Sequence, residues 1–593
     1  MGQPLAADRR TLIFRGAALA LSAVAAVTAT ALLADAALQD GVDVWDLLRA
    51  GLIFVTTAWL AWGASLALTG LAPLRRRGAD DVIVAPQPRT VVLVPICNED
   101  PVTTFARIAA MDASIRAAGV AAEIAILSDT RDPAGALRER HAFVRLLEAT
   151  GGAGRIYYRR RLENRGRKAG NIEDFIRKSG AAWEFAVILD ADSLMEGAAI
   201  RSLIARMQAE PGLGLLQTLP RIVGGASLFG RAMQFAAGLH GPAFTRGLAR
   251  MQGQAGPFWG HNAIVRLRAF AESCALPPLS GRPPFGGHIL SHDYVEAALL
   301  ARAGWAVRVD PTIGGSFEEG PENLLAFARR DRRWTQGNLQ HIRLLTAPGL
   351  TLWSRFVLLQ GIFAYLVSIL WGGFMVASIL ATILAPPPDY FPQPHLLFPV
   401  FPSDRSKEIT TLVFGIAGLL VMPKVAILLG AVISGRVRGF GGVLGAALSV
   451  LAEVLLTSVI APLMLVYQSR AVIQVFSGHD GGWPANQRGE GRLTWAQGAQ
   501  AGLWISAIGA VALLLIARVA PDLTAWLMPV CVPMLAAPLL ITATSRAIGR
   551  GLFVTPDEAE PAPVIVTYRA ILAEWSRTPD ASQPDPGAER AAA

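Results

Sequence analysis

Long apolar runs constrain this sequence more than any other feature. Residues 14–37 and 52–74 are nearly uncharged, and each reaches the ~20 residues needed to cross the hydrocarbon core of a bilayer. Comparable runs return at 356–384, 409–434, 442–476, 499–520 and 523–548. Between residues 74 and 353 the pattern is instead that of a water-soluble α/β domain. The expectation is a membrane protein with one large soluble insert. Arg9, Arg10 and Arg15 ahead of the first run resemble the start of a secretory signal. That run is longer than the 7–15 apolar residues of a signal, and a second follows closely, so it is read as a retained helix.

Composition agrees. Hydrophobic residues make up 52% and charged residues 17% of the 593, against about 25% charged in average soluble domains. Three cysteines, Cys97, Cys274 and Cys531, exclude a disulfide framework and fit a reducing compartment or a membrane. The net charge of +9 is open to nucleic acid, phosphorylated substrates or an anionic membrane face. Its distribution decides. Arginines precede the first run and follow the second (Arg75, Arg76, Arg77), while Asp40, Asp43 and Asp46 lie between the two. The positive-inside rule then puts the N-terminus and the insert on the cytoplasmic side. Arg436 and Arg438, then Arg546 and Arg550, mark further cytoplasmic turns. Residues 442–476 must therefore cross an even number of times, as a short helical pair or an interfacial hairpin broken near Pro462. Six to eight crossings are expected, with eight favoured. The tail from 555 to 593, rich in Pro, Ala and acidic residues, is expected to be partly disordered. No internal repeat is visible.

From Arg89 the insert alternates strand and helix. Thr90–Ile96 is a buried strand by length and branched content. A polar turn leads into a helix to about Ala118, and 123–127 is the next strand, ending in Ser128 and Asp129. A strand at 155–159, a helix near 171–178 and a strand at 184–189 follow, the last ending in Asp190-Ala191-Asp192. Repeated βα units imply a parallel sheet with covered faces. Ligands of such sheets bind beyond the carboxyl ends of the strands, where Glu99, Asp129, Asp190 and Asp192 gather.

Carboxylates in that place suit a nucleoside diphosphate bridged by a hard divalent cation, which takes one or two carboxylates plus phosphate oxygens. An Asp-x-Asp triplet alone more often caps a turn. Here an apolar strand precedes it and Asp129 accompanies it. Of the 54 basic residues only four are lysines, so Lys168, opening a helix within Arg165-Gly166-Arg167-Lys168-Ala169-Gly170-Asn171, stands out as a compact ammonium suited to phosphate; the other reading is a solvated basic turn. No G-x-x-x-x-G-K-[ST] occurs, which disfavours a P-loop nucleotidase. His288, His292 and Asp293 could be read as a metal site, but no thiolate is near and the preceding glycines oppose the helical spacing. Asp293 is better read as a general base, or more plainly as an N-cap carboxylate. Arg329-Arg330-Asp331-Arg332-Arg333-Trp334 lies just before the third run. It suits anionic lipid at a membrane face, and equally bidentate pairing with a diphosphate. Lys424 and Glu453, polar residues within apolar runs, mark candidate solute paths.

In order, VPICNEDP (94–101), ILSDT (126–130), RKAGNIEDF (167–175), LDADSLM (189–195), FWGHNAIVR (258–266), PPFGGHILSHDYVEAALLARAGW (283–305) and FARRDRRWTQGNLQH (327–341) resemble the membrane-embedded family 2 glycosyltransferases. That class includes cellulose and hyaluronan synthases, and the match is closer to its branch that makes osmoregulated periplasmic glucans. The resemblance implies a type A glycosyltransferase domain, a Rossmann-like parallel sheet, inserted in an α-helical transmembrane bundle. It implies an N-terminal region 1–77 with two transmembrane helices and a cytoplasmic catalytic domain 78–350. A bundle with interfacial helices at 351–550, a gating loop near 477–491 and a cytoplasmic tail 551–593 follow.

By the same resemblance, Asp129 contacts the uridine of UDP-glucose, Asp190 helps seat the nucleotide, and Asp192 holds Mg2+ or Mn2+. Lys168, Arg330 and Arg333 lie at the donor's phosphates; Arg330 stands where the wider class has a glutamine. Trp334, Trp259 and His261 face the acceptor, and Asp293 is the catalytic base. The implied activity is an inverting, processive transfer of glucose from UDP-glucose into the β-glucan backbone of periplasmic glucans, with translocation across the bacterial inner membrane. The implied partners are the growing glucan, the lipid bilayer, an acyl carrier protein and a periplasmic glucan-processing protein, with no nucleic acid. Another β-glycan synthase of the same class, or a transporter that senses nucleotide, are the competing readings.

Overall fold

A computed structural model of the chain describes residues 3–37, 43–74, 82–384, 406–481, 491–549 and 551–577. Asp40, Arg75, Arg76, Arg77, Arg550, residues 482–490 of the expected gating loop and the tail beyond 577 lie outside the described residues.

The insert is built on β1 (Thr90–Ile96), β2 (Ala122–Ser128), β3 (Ile156–Arg160), β4 (Phe185–Ile188), β5 (Leu194–Met195), β6 (Leu213–Thr218), β7 (Arg221–Val223), β8 (Ala263–Arg266), β9 (Ala306–Asp310) and β10 (Ser316–Glu319). Seven form one sheet in the order β3-β2-β1-β4-β8-β6-β9, and β5-β10-β7 form a second. The large sheet is parallel as expected, except that β8 runs antiparallel to both β4 and β6. β1 is buried almost throughout (TVVLVPI), as a central strand covered on both faces must be.

Two long helices, α1 (Arg9–Ala37) and α2 (Val44–Thr69), precede the insert. Within it come α3 (Pro101–Ala117), α4 (Pro133–Thr150), α5 (Arg167–Ser179), α6 (Gly197–Ala209), α7 (Leu228–Leu239), α8 (Gly241–Gln252), α9 (Leu267–Ser273), α10 (His292–Arg302) and α11 (Leu324–Gln340). After it come α12 (Leu352–Leu384), α13 (Ser406–Ile433), α14 (Gly442–Phe476), α15 (Trp495–Val519), α16 (Thr524–Leu535), α17 (Ala537–Thr544), α18 (Pro556–Ala559) and α19 (Pro563–Arg577). Asp100 and Asp132 cap α3 and α4, each followed by a proline in the first turn, where its missing N–H costs nothing.

Among the described residues six helices are long and apolar enough to cross a bilayer, or seven if α16 and α17, bent by 58° at their junction, count as one span. Both numbers fall below the favoured eight. Residues 442–476 form one continuous 35-residue helix, α14, with Pro462 inside it; neither a helical pair nor a hairpin forms. One proline removes a single N–H from a long ladder, and packing on neighbouring helices tolerates that loss. At its start Ser449 Oγ accepts from the backbone N–H of Phe553 at 3.0 Å. At its end Gln474 accepts from Arg332 of α11 at 3.2 Å. Leu444, Leu448, Leu451, Leu455 and Val459, spaced three or four apart, form an exposed apolar stripe on its outer face.

Lys424 and Glu453, the candidate path residues, pair with each other: the ammonium donates to both carboxylate oxygens at 2.7 Å, tying α13 to α14. Within the expected tail, α18 and α19 are helical, and Val564, Ile565 and Trp575 are buried in the same core as Val92 and Ile108 of the insert.

Candidate active site

The carboxyl ends of β1, β2 and β4 converge with loops from β8, β10 and the start of α10. Asp129, just past β2, is buried. Arg161 grips it through Nε and, at 2.8 Å, through Nη2, while Asn171 Nδ2 donates to Oδ1 at 3.0 Å. A carboxylate offers about four acceptor positions; three are filled, and Oδ2 keeps room for one more donor. Arg161 had no sequence signal of its own among so many arginines.

After β4, Asp190 and Asp192 flank buried Ala191. Lys168, at the N-terminal turn of α5, donates to Asp190 and to the carbonyl of Gly260 at 2.7 Å. Arg167 and Gly166 before it have φ of 53° and 67°, a sharp entry that glycine takes readily and arginine only against strain. The Asp190 backbone N–H donates to Ser193 Oγ at 2.9 Å, and Ser193 donates to Asn262 Oδ1 at 2.5 Å. The acidic turn is thereby fixed to the loop carrying Trp259 and His261. Trp259 is held by its own N–H to Gln217 Oε1 at 3.0 Å and is half-buried.

His261 Nε2 is 3.6 Å from Glu318 Oε2 on β10. Burial works against the imidazolium, but Asp190 and Glu318 outweigh it and raise the His261 pKa. Glu318 is the acid that sequence reasoning missed. Burial raises its carboxyl above the usual range although His261 and Arg330 oppose this, and Asp192 and Asp190 push the same way. The signal was present in Phe317-Glu318-Glu319, between the acidic turn and the basic run.

This surplus of hard oxygen donors fits a divalent cation. Among the described residues no three ligating side chains already form a cage, as expected of a site completed by phosphate oxygens and water. Asp192, with Glu318 beside it, would hold the ion.

Asp293 lies in the first turn of α10, whose N-cap is Ser291, so it is no N-cap carboxylate. It is half-buried. A Cβ built on Gly260 would sit 3.6 Å from that of Asp293, within ordinary contact, so the glycine bearing the Lys168 bond also faces Asp293. Burial raises the Asp293 carboxyl above its ordinary value; His292 opposes that and Glu296 adds to it. His292 Nδ1 pairs with Glu296 at 3.0 Å, and among the described residues no group of three His, Cys, Asp or Glu side chains around His288 and His292 could hold a metal ion. His341 Nε2 lies 2.9 Å from the Ser291 carbonyl and steadies the start of α10.

α11 carries the basic run. Arg330 stacks over Trp334 at 4.6 Å, and Trp334 is 41% exposed. Arg333 precedes it and is half-buried. Arg332 turns instead to the far end of α14 and donates to the His479 carbonyl at 3.1 Å. Asp480 accepts from Gln336 at 2.7 Å, and Gly491 accepts from Asn323, the N-cap of α11, at 3.3 Å. Both described ends of the 477–491 segment are therefore tied to α11.

Residues 185–422 match the model of glycosyl transferase family group 2, and residues 91–273 that of glycosyl transferase family 2. A glucans biosynthesis glucosyltransferase H of Cereibacter sphaeroides is 55% identical over 580 residues, 97% of this chain and 98% of that one. Relatives of the same name from Rhodopseudomonas palustris (strain BisA53) and Bradyrhizobium diazoefficiens are 41% and 39% identical. They cover 88% and 96% of this chain and 75% and 79% of their own. Among solved structures, the mannosyltransferase PcManGT from Pyrobaculum calidifontis in complex with GDP-Man and Mn2+ aligns with 73% of this chain and 99% of that one, at 15% identity and a TM-score of 0.45. This chain belongs to the glucans biosynthesis glucosyltransferase H family and is a family 2 glycosyltransferase.

Proposed function

We propose that this chain takes glucose from UDP-glucose and adds it, with inversion, to a growing β-glucan destined for the periplasm. The observation that carries this reading is the grouping of Asp129, Asp190, Asp192 and Glu318 opposite Asp293, with Lys168 between them. Asp129 keeps one acceptor position, which suits a nucleobase N–H. Lys168, Arg330 and Arg333 supply cations for the diphosphate, and Trp334, Trp259 and His261 form the acceptor side. A divalent ion, Mg2+ or Mn2+, held at Asp192 would neutralise charge on the departing diphosphate. Asp293 removes the proton from the acceptor hydroxyl as that oxygen attacks the anomeric carbon; the bond to UDP breaks on the opposite face. Its raised pKa makes it a better proton acceptor than an ordinary carboxylate.

The domain division drawn from the sequence is kept except that α19 joins the catalytic domain, with the insert and both termini on the cytoplasmic side. α14 is read as lying along the membrane surface. At about 52 Å it is longer than a bilayer core, and both its ends meet the insert. With α16 and α17 as one broken span, this gives six crossings and an exit for the glucan beside its site of synthesis. The protein partners are an acyl carrier protein and a periplasmic glucan-processing protein.

The test is the purified, reconstituted protein supplied with UDP-glucose and Mg2+ or Mn2+. UDP release matched by β-linked glucan is expected, and linkage analysis identifies the product. Asp293→Asn should abolish transfer while UDP binding persists. Wild-type-like turnover in that variant removes Asp293 as the base.

A further inference from the structure

Behind the acidic cluster, on the face of β10 away from the donor, sits a buried arginine that the reaction as described does not use. β10 pairs with β5 so that Phe317 faces Leu194, which lays Glu318 and Glu319 alongside the turn of Asp190, Ala191 and Asp192. Successive strand residues point to opposite faces. Glu318 meets His261 on the donor side, and Glu319 meets Arg107 of α3 on the other. Arg107 is 5% exposed. One guanidinium nitrogen donates to Glu319, and the other donates to the carbonyl of Ala191 at 3.4 Å, between the two aspartates. The planar fork thus ties the two segments that carry Asp190, Asp192 and Glu318.

The outer side of that guanidinium is covered from the end of the chain. Tyr568 of α19 lies under Arg107, ring centroid to Cζ 5.0 Å. The tail reaches this point by a strap of paired contacts. Asp557 bridges to Arg221 of β7 and Glu558 to Arg231 of α7, each at 3.0 Å. Arg145 of α4 donates to the Trp575 carbonyl at 3.2 Å further on. The strap therefore grips β7, the other neighbour of β10, before its tyrosine closes over Arg107.

We infer that Arg107, held in place by Tyr568, is a positioning residue that sets the spacing between the Asp190–Asp192 turn and Glu318, so that the C-terminal strap tunes binding of the divalent cation and the nucleoside diphosphate. This rests on the donor-site reading above. Lysine keeps the charge but lacks the fork that bonds two acceptors in one plane. Leucine at 568 keeps volume but removes the aromatic face that attracts the guanidinium.

The experiment uses the full-length protein and reads binding as well as turnover. Mn2+ binding in the presence of UDP is titrated by paramagnetic resonance for wild type, Arg107→Lys, Tyr568→Leu and Asp192→Asn, beside donor KM, kcat and the unfolding midpoint. Arg107→Lys should weaken Mn2+ binding and raise the donor KM by about tenfold, with kcat changed less than about threefold. Tyr568→Leu should move both in the same direction by about threefold. If Arg107→Lys does not fold, Tyr568→Leu on the outer helix carries the test alone. Unmoved Mn2+ binding in the folded variants overturns the inference, as does a fall in kcat with KM and Mn2+ affinity intact. Asp192→Asn separates the two layers: if it leaves Mn2+ binding unchanged, the donor-site reading itself fails.

Discussion

The ammonium of Lys168 is hydrogen-bonded to the carboxylate of Asp190, so the proposed donor-side cation and the first acid of the Asp-Ala-Asp turn hold each other. The same nitrogen bonds the carbonyl of Gly260, whose α-carbon faces Asp293. One side chain therefore joins the proposed nucleotide side of the site to the side of the proposed base. Replacing it should both leave Asp190 short of a partner and remove charge from the diphosphate. A hydrogen bond to a charged group contributes about 1.5–3 kcal/mol, so Lys168→Met should lower kcat/KM for the donor by about 10- to 100-fold. Steady-state kinetics on UDP-glucose check this, and a value within twofold of wild type refutes the role.

Burial holds the Asp293 carboxyl above its ordinary value, and His292 pulls it back down. As the proposed base, Asp293 works only when deprotonated, so transfer should fade as pH falls through this raised pKa. That happens at a higher pH than the ~3.9 of an ordinary aspartate would give. Removing the imidazole in His292→Gln takes away the lowering influence, and the acid limb of kcat/KM should move further up. An acid limb that stays put in the variant contradicts the pairing.

Gly337 of α11 packs directly on the residue that caps α10. A Cβ there would meet Ser291 Oγ and lie 2.8 Å from the Ser291 backbone nitrogen. Gly337→Ala must push α11 off the turn that carries Asp293. A displacement of about 1 Å at a reacting group can cost about 100-fold, and a loss of that order is expected in turnover. Alanine at Gly430 of α13, where a Cβ meets nothing within 4 Å, should be silent in the same assay.

Lys424 and Glu453 form an ion pair within apolar helices. Removing one partner of a buried pair costs about 3–5 kcal/mol, whereas replacing both with apolar residues is often neutral. Lys424→Met and Glu453→Leu should each lower the unfolding midpoint in detergent, and the double variant should recover most of it. A double variant as unstable as the sum of the two singles would show no coupling between the two charges and refute the pair as a staple of α13 to α14.

Some of this could be read directly from the residues. The strand Thr90–Ile96 and the turn at Asp190 were visible because an apolar run ends in acid, and that pattern is local. Arg161, Glu318 and Arg107 were not, since each acts on residues far away in the chain and only the sheet order brings them together. α14 was misread for a different reason. Hydropathy registers how apolar a helix is, and α14 is apolar on the face that packs on protein as well as on the exposed stripe of Leu444, Leu448 and Leu451. Pro462 suggested a break there, but one proline inside so long a helix removes only a single N–H. Helix α19 was overlooked because a tail rich in Pro and Ala hides Val564, Ile565 and Trp575, which complete a core begun at Val92.

That core has an order of assembly. Its first strand is made early in translation, but Val564, Ile565 and Trp575 leave the ribosome only after every apolar helix from α12 to α17 has been synthesised. Domains generally fold as units, N-terminal first, during synthesis; this one cannot close until its membrane portion exists. The catalytic domain thus becomes whole only on a chain already committed to the bilayer, and an interrupted translation product would carry the acidic cluster without the helix that finishes its core.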